Sequence, residues 1–182
     1  GMHSFMSQAD IIIGHNADGF DIKWMNKLFL KYKLSPISMY KTVDTLIVYK
    51  KHFYFISYTL KNIARELELK HKKIETGGFS LWKQCKIGDV KAQRKMEKYN
   101  KHDVLVLEEL YNRLRPYINN HPNMNLYNDR PVCTNCGSPK LRTDGYAYTK
   151  VCTFQRYVCL VCGHPMRHGK ELTRCKIVPI NK

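Results

Sequence analysis

The sequence contains no apolar run approaching the roughly 18 residues that a membrane-spanning helix needs. It also lacks a recognisable signal peptide, an internal repeat and a low-complexity stretch. These absences argue against a membrane protein and a secreted one, so we expect a cytoplasmic protein with no membrane partner. Its 182 residues allow one ordinary domain and one small domain, at about 100–150 residues per domain.

Acidic residues are scarce compared with basic ones. The chain has 31 Lys and Arg against 15 Asp and Glu, which gives a formal net charge of +16. Residues 122–182 hold 10 basic and 3 acidic residues, so the excess is densest there. Such an excess indicates a polyanionic partner whose phosphates supply salt-sensitive affinity. We therefore predict nucleic acid as the partner; a basic solvated surface without a ligand is the alternative.

Seven cysteines are an odd total for a secreted disulfide framework. Four of them form two C-x-x-C pairs, here called knuckles, and a glycine follows each pair. A knuckle presents two thiolates at a tight turn, and the glycine lets the backbone adopt positive φ around the sulfurs. Two knuckles predict a closed, structural Zn²⁺ site in a small β zinc ribbon, because no coordination position stays open for water. The predicted zinc ligands are Cys133, Cys136, Cys159 and Cys162.

The segment between and after the knuckles is β-prone. Residues 147–151 and 154–158 are predicted to form a hairpin. Basic and aromatic side chains alternate here, as a platform for phosphate contact and base stacking requires, although docking on a protein is an alternative. The platform residues are Arg142, Tyr146, Tyr148, Arg156, Tyr157 and Arg167. Cys85, Cys152 and Cys175 have no partner at ligand spacing and are predicted to be small apolar residues.

The first part of the chain has an α/β pattern that is mostly helical. A β-branched run predicts a buried strand over residues 9–16, and a helix should follow from Phe20 to Lys33. In that helix, Phe20, Trp24 and Leu28 form an apolar stripe that Met25 and Phe29 broaden, so we expect the stripe to face the core. A helix is predicted over residues 57–69, one helix or two over residues 90–114, and a loop over residues 76–78. Residues 42–49 fit a strand or a helix, and we favour a helix. A linker at residues 119–123 predicts two domains, residues 2–121 and 122–182.

Two carboxylates occupy positions that are otherwise costly. Asp103 shares the core-facing stripe of its helix with Tyr99 and Leu107, where an unpaired carboxylate is expensive. Asp21 lies one turn into the helix that follows the predicted strand. In α/β sheets, ligands bind where a strand ends and the next helix starts. The two positions are therefore candidates for an active site or a metal site.

Together these residues resemble the proofreading exonuclease domains of family B DNA polymerases. Residues 16–21, Asn-Ala-Asp-Gly-Phe-Asp, are similar to the second exonuclease motif of that family, Asn-x-x-x-Phe-Asp. Residues 99–103, Tyr-Asn-Lys-His-Asp, are similar to its third motif, Tyr-x-x-x-Asp. The resemblance covers roughly residues 9–115 and implies an RNase H-like fold. It suggests a stand-alone, phage-type relative with a role in DNA replication.

The resemblance implies DEDDy chemistry, in which four carboxylates hold two Mg²⁺ or Mn²⁺ ions for 3′–5′ hydrolysis of nucleic acid. By that resemblance, Asp21 and Asp103 would bind the metals, and Tyr99 would orient the attacking water. Asn16 and Phe20 would shape the site for a single-stranded 3′ end, although core packing is the expected role of the Phe20 ring. DNA is the more expected substrate, with RNA as the alternative.

The sequence departs from the family at the first motif. No Asp-x-Glu precedes Asp21, so two of the four carboxylates and the first strands of the sheet are expected to be missing. Asp10 and Asp44 are poor substitutes, since Asp10 leads into the strand and Asp44 suits a cap or a surface position. We expect an incomplete exonuclease, inactive as an isolated chain. It would be completed by an N-terminal segment or by a second polypeptide.

Two other interpretations remain open. The first is a catalytically inactive nucleic-acid-binding or replication-accessory module. The second is a zinc-ribbon transcription or recombination factor that only echoes the nuclease pattern.

Overall fold

The computed structural model describes residues 1–37, 39–71 and 78–178. The chain divides into two compact units, Gly1–Leu114 and Arg115–Lys182, which are described separately below. The predicted loop at residues 76–78 lies outside the described residues apart from Gly78. The assignment of residues 2–121 and 122–182 to domains stays a prediction.

The first unit has a two-stranded parallel sheet built from β-branched residues. Strand β1 (Ile11–Gly14) pairs with strand β2 (Lys41–Asp44), from Ile11 opposite Lys41 to Gly14 opposite Asp44. The two strands run the same way, so their carboxyl ends meet at one edge of the sheet. Within the described residues, β2 is the only strand that pairs with β1. The other long edge of β1 therefore carries no strand from this part of the chain.

The described part of the first unit also contains six α-helices. They are α1 (Met2–Met6), α2 (Ile22–Lys31), α3 (Thr45–His52), α4 (Leu60–Glu66), α5 (Phe79–Lys86) and α6 (Val90–Leu114). Side chains of Asp44, Thr59 and Asp89 accept backbone N–H groups at the starts of α3, α4 and α6. None of the described helices is both long and apolar enough to cross a bilayer.

The interval over residues 42–49 is part strand and part helix. The favoured helix is correct from Thr45 onward, and the strand alternative is correct for the preceding residues, which belong to β2. The change occurs at Asp44, whose backbone is extended and whose carboxylate accepts the Leu46 N–H at 2.9 Å. The strand ends and the helix begins at this N-cap residue, because its side chain accepts a backbone N–H that has no partner within the helix.

Helix α6 supplies much of the buried surface of the first unit, and α3, α4 and α5 pack against it. Its buried residues recur at helical spacing and are Ala92, Met96, Val106, Leu110, Tyr111 and Leu114. From α3 and α4, Val48, Tyr49 and Ile63 are buried. Tyr49 is 1% exposed, and burial raises the pKa of its phenol well above the ordinary value.

The inward face of α2 differs from the predicted one. Ile22 and Phe29 are buried with Met6 and Ala17, and Met25 packs beside them. The expected core stripe is instead exposed, with Phe20 at 56%, Trp24 at 48% and Leu28 at 42%. Two apolar stripes run along this helix, and only one of them can face the sheet. The prediction that Phe20, Trp24 and Leu28 pack in the core was therefore wrong.

The second unit is a small antiparallel sheet. Strand β4 (Cys152–Cys159) lies between β3 (Leu141–Tyr148) on one side and the short strands β5 (Pro165–Arg167) and β6 (Thr173–Arg174) on the other. The first strand of the predicted hairpin begins earlier and ends earlier than expected. Thr149 starts the turn, because its hydroxyl accepts the Cys152 N–H at 2.9 Å. The β3–β4 register shifts between Thr143 and Tyr146.

Candidate functional site

The loop that leaves β1 is organised by one buried carboxylate. Asp44 is 4% exposed, and its oxygens accept the backbone N–H groups of Asn16 at 2.8 Å and Asp18 at 3.1 Å. It also caps α3, as the sequence predicted, but it does so from the interior and not from the surface. Three backbone donors converge on this side chain, so Asp44 fixes where the loop from Asn16 to Asp21 runs.

Close packing and backbone conformation restrict the same loop. Asn16 adopts the left-handed region with φ of 66°, which asparagine tolerates better than most residues. A Cβ on Gly14 would lie 2.2 Å from the Cβ of Ala17, and one on Gly19 would lie 2.5 Å from Oδ1 of Asn16. Gly14 is therefore required by space, whereas a Cβ at position 19 would need only the Asn16 side chain to shift.

His15 connects three segments of the first unit. Its Nε2 lies 2.9 Å from the carbonyl oxygen of Tyr58, and its Nδ1 lies 2.9 Å from Oγ1 of Thr45. The Thr45 hydroxyl in turn donates to the carbonyl of Gly14 at 2.9 Å. The imidazole thus joins the end of β1 to the starts of α3 and α4. These contacts indicate that His15 holds the end of β1 and the starts of α3 and α4 in position relative to one another.

Asp21 lies at the end of a π-helical turn, Ala17–Asp21, which leads directly into α2. The residue is exposed, so its carboxylate is accessible from solvent. Phe20 and Trp24 are close to Asp21 in sequence, and the centres of their rings lie 6.3 Å apart. The Lys27 ammonium lies 4.5 Å from the centre of the Trp24 ring. Single π-helical turns are frequent at functional sites. The segment presents a carboxylate and an exposed aromatic pair on consecutive turns.

Tyr99 and Asp103 lie one turn apart on the inward side of α6. The Tyr99 ring packs against the cluster formed by Leu81, Ala92 and Met96. Asp103 is partly buried, and its Oδ1 atom is shielded from solvent. The packing of Tyr99 on α5 fixes its ring, while Asp103 remains the carboxylate nearest the middle of this helix face. The structure places both on the inward side of α6 and Asp21 at the start of α2.

Four thiols form a compact cluster in the second unit. The Sγ atoms of Cys133, Cys136, Cys159 and Cys162 all lie within 4.8 Å of one another, and such a group can hold a metal ion such as zinc. Gly137 and Gly163 have φ of 72° and 74°, and each donates its N–H to the carbonyl of the first cysteine of its knuckle at 2.9 Å. The two knuckles therefore have the same local geometry.

Protein groups around the cluster hold the knuckles in place and tune the thiols. The Nδ1 atom of His164 lies 3.0 Å from the carbonyl oxygen of Pro116, and the buried Asn135 amide donates to the carbonyl of Arg115. Burial raises the pKa of the Cys133 thiol. Burial also acts to raise the pKa of the Cys159 thiol, but the N–H groups of Cys162 and Val161 outweigh it and lower that pKa to about 7.

A comparison with protein families identifies the first part of the chain. The family model of the RNase H superfamily matches residues 2–115. The chain belongs to the RNase H superfamily. Membership indicates nucleic-acid processing of the nuclease kind, and the matched range includes Asn16, Phe20, Asp21, Tyr99 and Asp103. No curated protein and no solved structure matches the chain.

Among the described residues of this RNase H superfamily chain, the carboxylates form no group that could hold two metal ions. Among the described residues, the four cysteines are the only group of three or more Cys, His, Asp or Glu with ligand atoms close enough to share an ion. Neither Asp21 nor Asp103 is part of such a group. These two residues can contribute ligands, but the described residues do not supply the remaining carboxylates.

Sequence reasoning missed two residues that shape this part of the RNase H superfamily chain. Asp44 was predicted as a cap, but its bonds to Asn16 and Asp18 across the loop were not anticipated. His15 was predicted only as part of the strand over residues 9–16, although it bridges Thr45 and Tyr58. These contacts join residues 26 to 43 positions apart in sequence, and local patterns carry no signal for them.

Proposed function

We propose that residues 2–121 contribute to a 3′–5′ exonuclease site of the DEDDy class that acts on single-stranded nucleic acid, DNA more than RNA. The observation that carries the proposal is the superfamily match, because it spans both exonuclease-like motifs in their expected order. In the same proposal, residues 122–182 form a zinc ribbon, and the protein acts in the cytoplasm of a cell or of a phage-infected host.

The proposed roles follow from residue type and placement. Asp21 is exposed at the start of α2, and Asp103 is partly buried on α6. In the proposal, each residue offers one carboxylate to the metal site, Asp21 from the solvent-exposed side and Asp103 from a partly buried position. Magnesium or manganese, when bound, supplies activation of water and stabilisation of the leaving oxygen. A tyrosine hydroxyl is a hydrogen-bond donor, so Tyr99 can donate a hydrogen bond to water.

Completion of the site requires two more carboxylates. The long edge of β1 that carries no strand from the described residues offers backbone N–H and C=O groups for strand addition. A two-stranded sheet is also marginal on its own. We propose that a strand bearing Asp-x-Glu pairs with this edge, supplied by an N-terminal segment or by a second polypeptide. Such a strand would lie directly beside the loop that Asp44 organises.

Exposed aromatic residues next to Asp21 support a single-stranded substrate. Phe20 and Trp24 present their rings to solvent, and Lys27 adds a positive charge over the Trp24 ring. Aromatic side chains stack on unpaired bases of any sequence, and neighbouring cations favour the phosphates. Asp44 holds the backbone of Asn16, four residues before Phe20. We propose that Asn16, Phe20 and Trp24 receive the 3′-terminal nucleotides.

The zinc ribbon proposal is supported by the cysteine geometry. Four thiols from two similar turns fit the closed tetrahedral site of a structural zinc ion. Binding of zinc at such a site contributes folding free energy, because no preformed site exists in the unfolded chain. The second unit is small and gains most from such a contribution.

The decisive experiment uses the chain completed by the segment encoded immediately upstream or by the product of a neighbouring gene that carries Asp-x-Glu. We expect release of mononucleotides from a 5′-labelled single-stranded oligonucleotide in the presence of Mg²⁺ or Mn²⁺. Asp103→Asn should abolish this release, and Tyr99→Phe should slow it by about 10²-fold, the range of a positioned proton donor. Asp10→Asn changes an exposed carboxylate next to β1 and should leave the rate unchanged.

The alternative is a catalytically inactive nucleic-acid-binding or replication-accessory module. It predicts that the completed assembly binds single strands and retains zinc but releases no mononucleotide with either metal. That result would end the exonuclease proposal. Equal rates for Asp103→Asn and Asp10→Asn would contradict the roles assigned to the carboxylates.

A further inference from the structure

The strand register gathers four arginines on one face of the second unit. Residues opposite one another in paired strands project from the same face of a sheet. Arg156 on β4 lies opposite Arg167 on β5, Arg142 on β3 lies opposite Val158, and Arg174 on β6 lies opposite Cys152. Cys152, Arg156 and Val158 alternate along β4, so all four arginines share their face. We call this surface the arginine face.

The tyrosines lie on the opposite face of the same sheet. Tyr146 is opposite Gln155, Tyr148 is opposite Thr153, and Tyr157 follows Gln155 by two positions on β4. The sequence predicted one platform with interleaved basic and aromatic groups. The pleat separates them instead, because neighbouring residues on a strand point to opposite faces.

The positive charge of the arginine face is only partly compensated. Arg156 forms an ion pair with Asp144, with Nε and Oδ2 at 3.0 Å. In the described part of the second unit, Arg142, Arg167 and Arg174 form no ion pair, and all three are exposed. Arg156 and Arg167 lie directly opposite each other on two paired strands. Like charges in that arrangement destabilise a sheet. A bound polyanion would remove that repulsion.

Arg167 is held in a fixed orientation. Its guanidinium lies 3.6 Å from the centre of the Phe154 ring, and Phe154 is 8% exposed. Stacking on a buried ring fixes the guanidinium plane and leaves its N–H edge free to bind. Planar guanidinium groups bind phosphate oxygens with two parallel hydrogen bonds. A preorientated guanidinium loses less side-chain entropy on binding than a flexible one.

We propose that the arginine face binds the sugar–phosphate backbone of a nucleic-acid strand, with Arg142, Arg167 and Arg174 each contacting a phosphate. This surface lies in the second unit and needs neither the proposed Mg²⁺ or Mn²⁺ site nor the residues of the proposed nuclease. It therefore adds a nucleic-acid-binding site beyond the proposed function, and its test does not depend on catalysis.

The competing explanation is structural, because arginine stems can cover apolar surface while their heads stay in water. Arg167 over Phe154 fits that explanation as well. The two explanations differ in what the outer arginines do. If the arginines only cover apolar surface, substitution of Arg167 alone should lower the stability of the unit. If they bind phosphates, substitution of any of Arg142, Arg167 and Arg174 should lower the salt dependence of nucleic-acid affinity.

The test measures fluorescence anisotropy of a labelled single-stranded DNA of about 16 nucleotides, the upper range for one small binding fold. The full zinc-loaded chain is titrated between about 50 and 200 mM salt without added Mg²⁺. Each phosphate contact on a single strand contributes about 0.7 to the slope of log K against log salt. The triple variant Arg142→Gln, Arg167→Gln, Arg174→Gln should lower that slope by about 2.

Two further variants keep the test decisive. Arg142→Gln with Arg174→Gln avoids the Phe154 contact and should lower the slope by about 1.4, even if Arg167→Gln impairs folding. Arg130→Gln, Lys140→Gln and Lys170→Gln remove the same number of exposed charges outside the four strands and should change the slope by less. An unchanged slope in the arginine variants, or an equal change in this control, overturns the proposal. So does arginine-dependent binding to phosphatidylserine vesicles without binding to the oligonucleotide.

Discussion

Oδ1 of Asp44 accepts the backbone N–H of Asn16 at 2.8 Å and so ties the end of β2 to the loop that follows β1. Asn16 has φ of 66°, and this bond holds it in the left-handed region. The motif residues Phe20 and Asp21 follow within one turn. The position of the proposed catalytic segment thus depends on a carboxylate that itself has no assigned catalytic role.

Removal of the Asp44 charge should destabilise the first unit. Asp44→Asn replaces an acceptor of three backbone N–H groups by an amide that brings an N–H₂ group to the same place. Hydrogen bonds to a charged group contribute about 1.5–3 kcal/mol each, and a buried donor left without one costs about 1–3 kcal/mol. We expect a loss of about 2–3 kcal/mol in the free energy of unfolding, measured with urea. Asp10→Asn, an exposed change of the same kind, should cost less than about 0.5 kcal/mol.

Trp24 should contribute to binding of single strands. Stacking of one base on an aromatic side chain is worth about 1–3 kcal/mol, so Trp24→Ala should weaken the affinity of the full chain about 5- to 150-fold. Leu30→Ala is the matched control, because Leu30 lies on the same helix and is 81% exposed. The measurement is anisotropy of a labelled oligonucleotide at fixed salt. Equal affinities of the two variants would rule out a stacking role for Trp24.

Zinc should be required for folding of the second unit. We expect one zinc ion per chain by elemental analysis, and its removal by a chelator should abolish the β-sheet signal of this unit. Structural zinc contributes about 10–16 kcal/mol in zinc-finger peptides, far more than a small core supplies. Cys133→Ser should lose the ion, whereas Cys175→Ser changes an exposed thiol outside the cluster and should retain it. Retention of zinc by Cys133→Ser would contradict the ligand assignment.

Glu109 should make stability depend on pH in the acidic range. The N–H groups of Lys70 and His71, followed by the His71 ring, hold the pKa of this carboxyl below its ordinary value. Its contribution to stability is therefore fully present above the ordinary pKa of about 4.3 and is lost as pH falls through the lower folded value. Glu109→Gln should flatten the dependence of unfolding free energy on pH below that value. Glu108→Gln, an exposed neighbour, should leave it unchanged.

Features encoded locally were predicted well from the sequence. The β-branched run gave β1, the apolar repeat gave α6, and the C-x-x-C-Gly pattern gave a four-thiol cluster. The RNase H superfamily match over residues 2–115 confirms the fold family that the two short motifs suggested. Each of these signals lies within a few turns of chain, where residue type directly restricts backbone geometry.

Features that depend on tertiary packing were not predicted from the sequence. The stripe of Phe20, Trp24 and Leu28 and the stripe of Ile22 and Phe29 are both apolar, and helical spacing alone cannot say which one faces the sheet. The separation of arginines from tyrosines in the second unit depends on strand register and on the bulge after Thr143.

The two knuckles have a kinetic consequence when they share one zinc ion. Cys133 and Cys136 precede β3, Cys159 is the last residue of β4, and Cys162 follows it. A shared ion therefore links the chain just before the hairpin to the chain just after it. Loss of the ion requires both turns to release their sulfurs, so fraying of one turn alone leaves the metal bound to the other pair. Exchange of the ion with a chelator should therefore slow as the hairpin becomes more stable, and the off-rate of zinc reports how often both turns open.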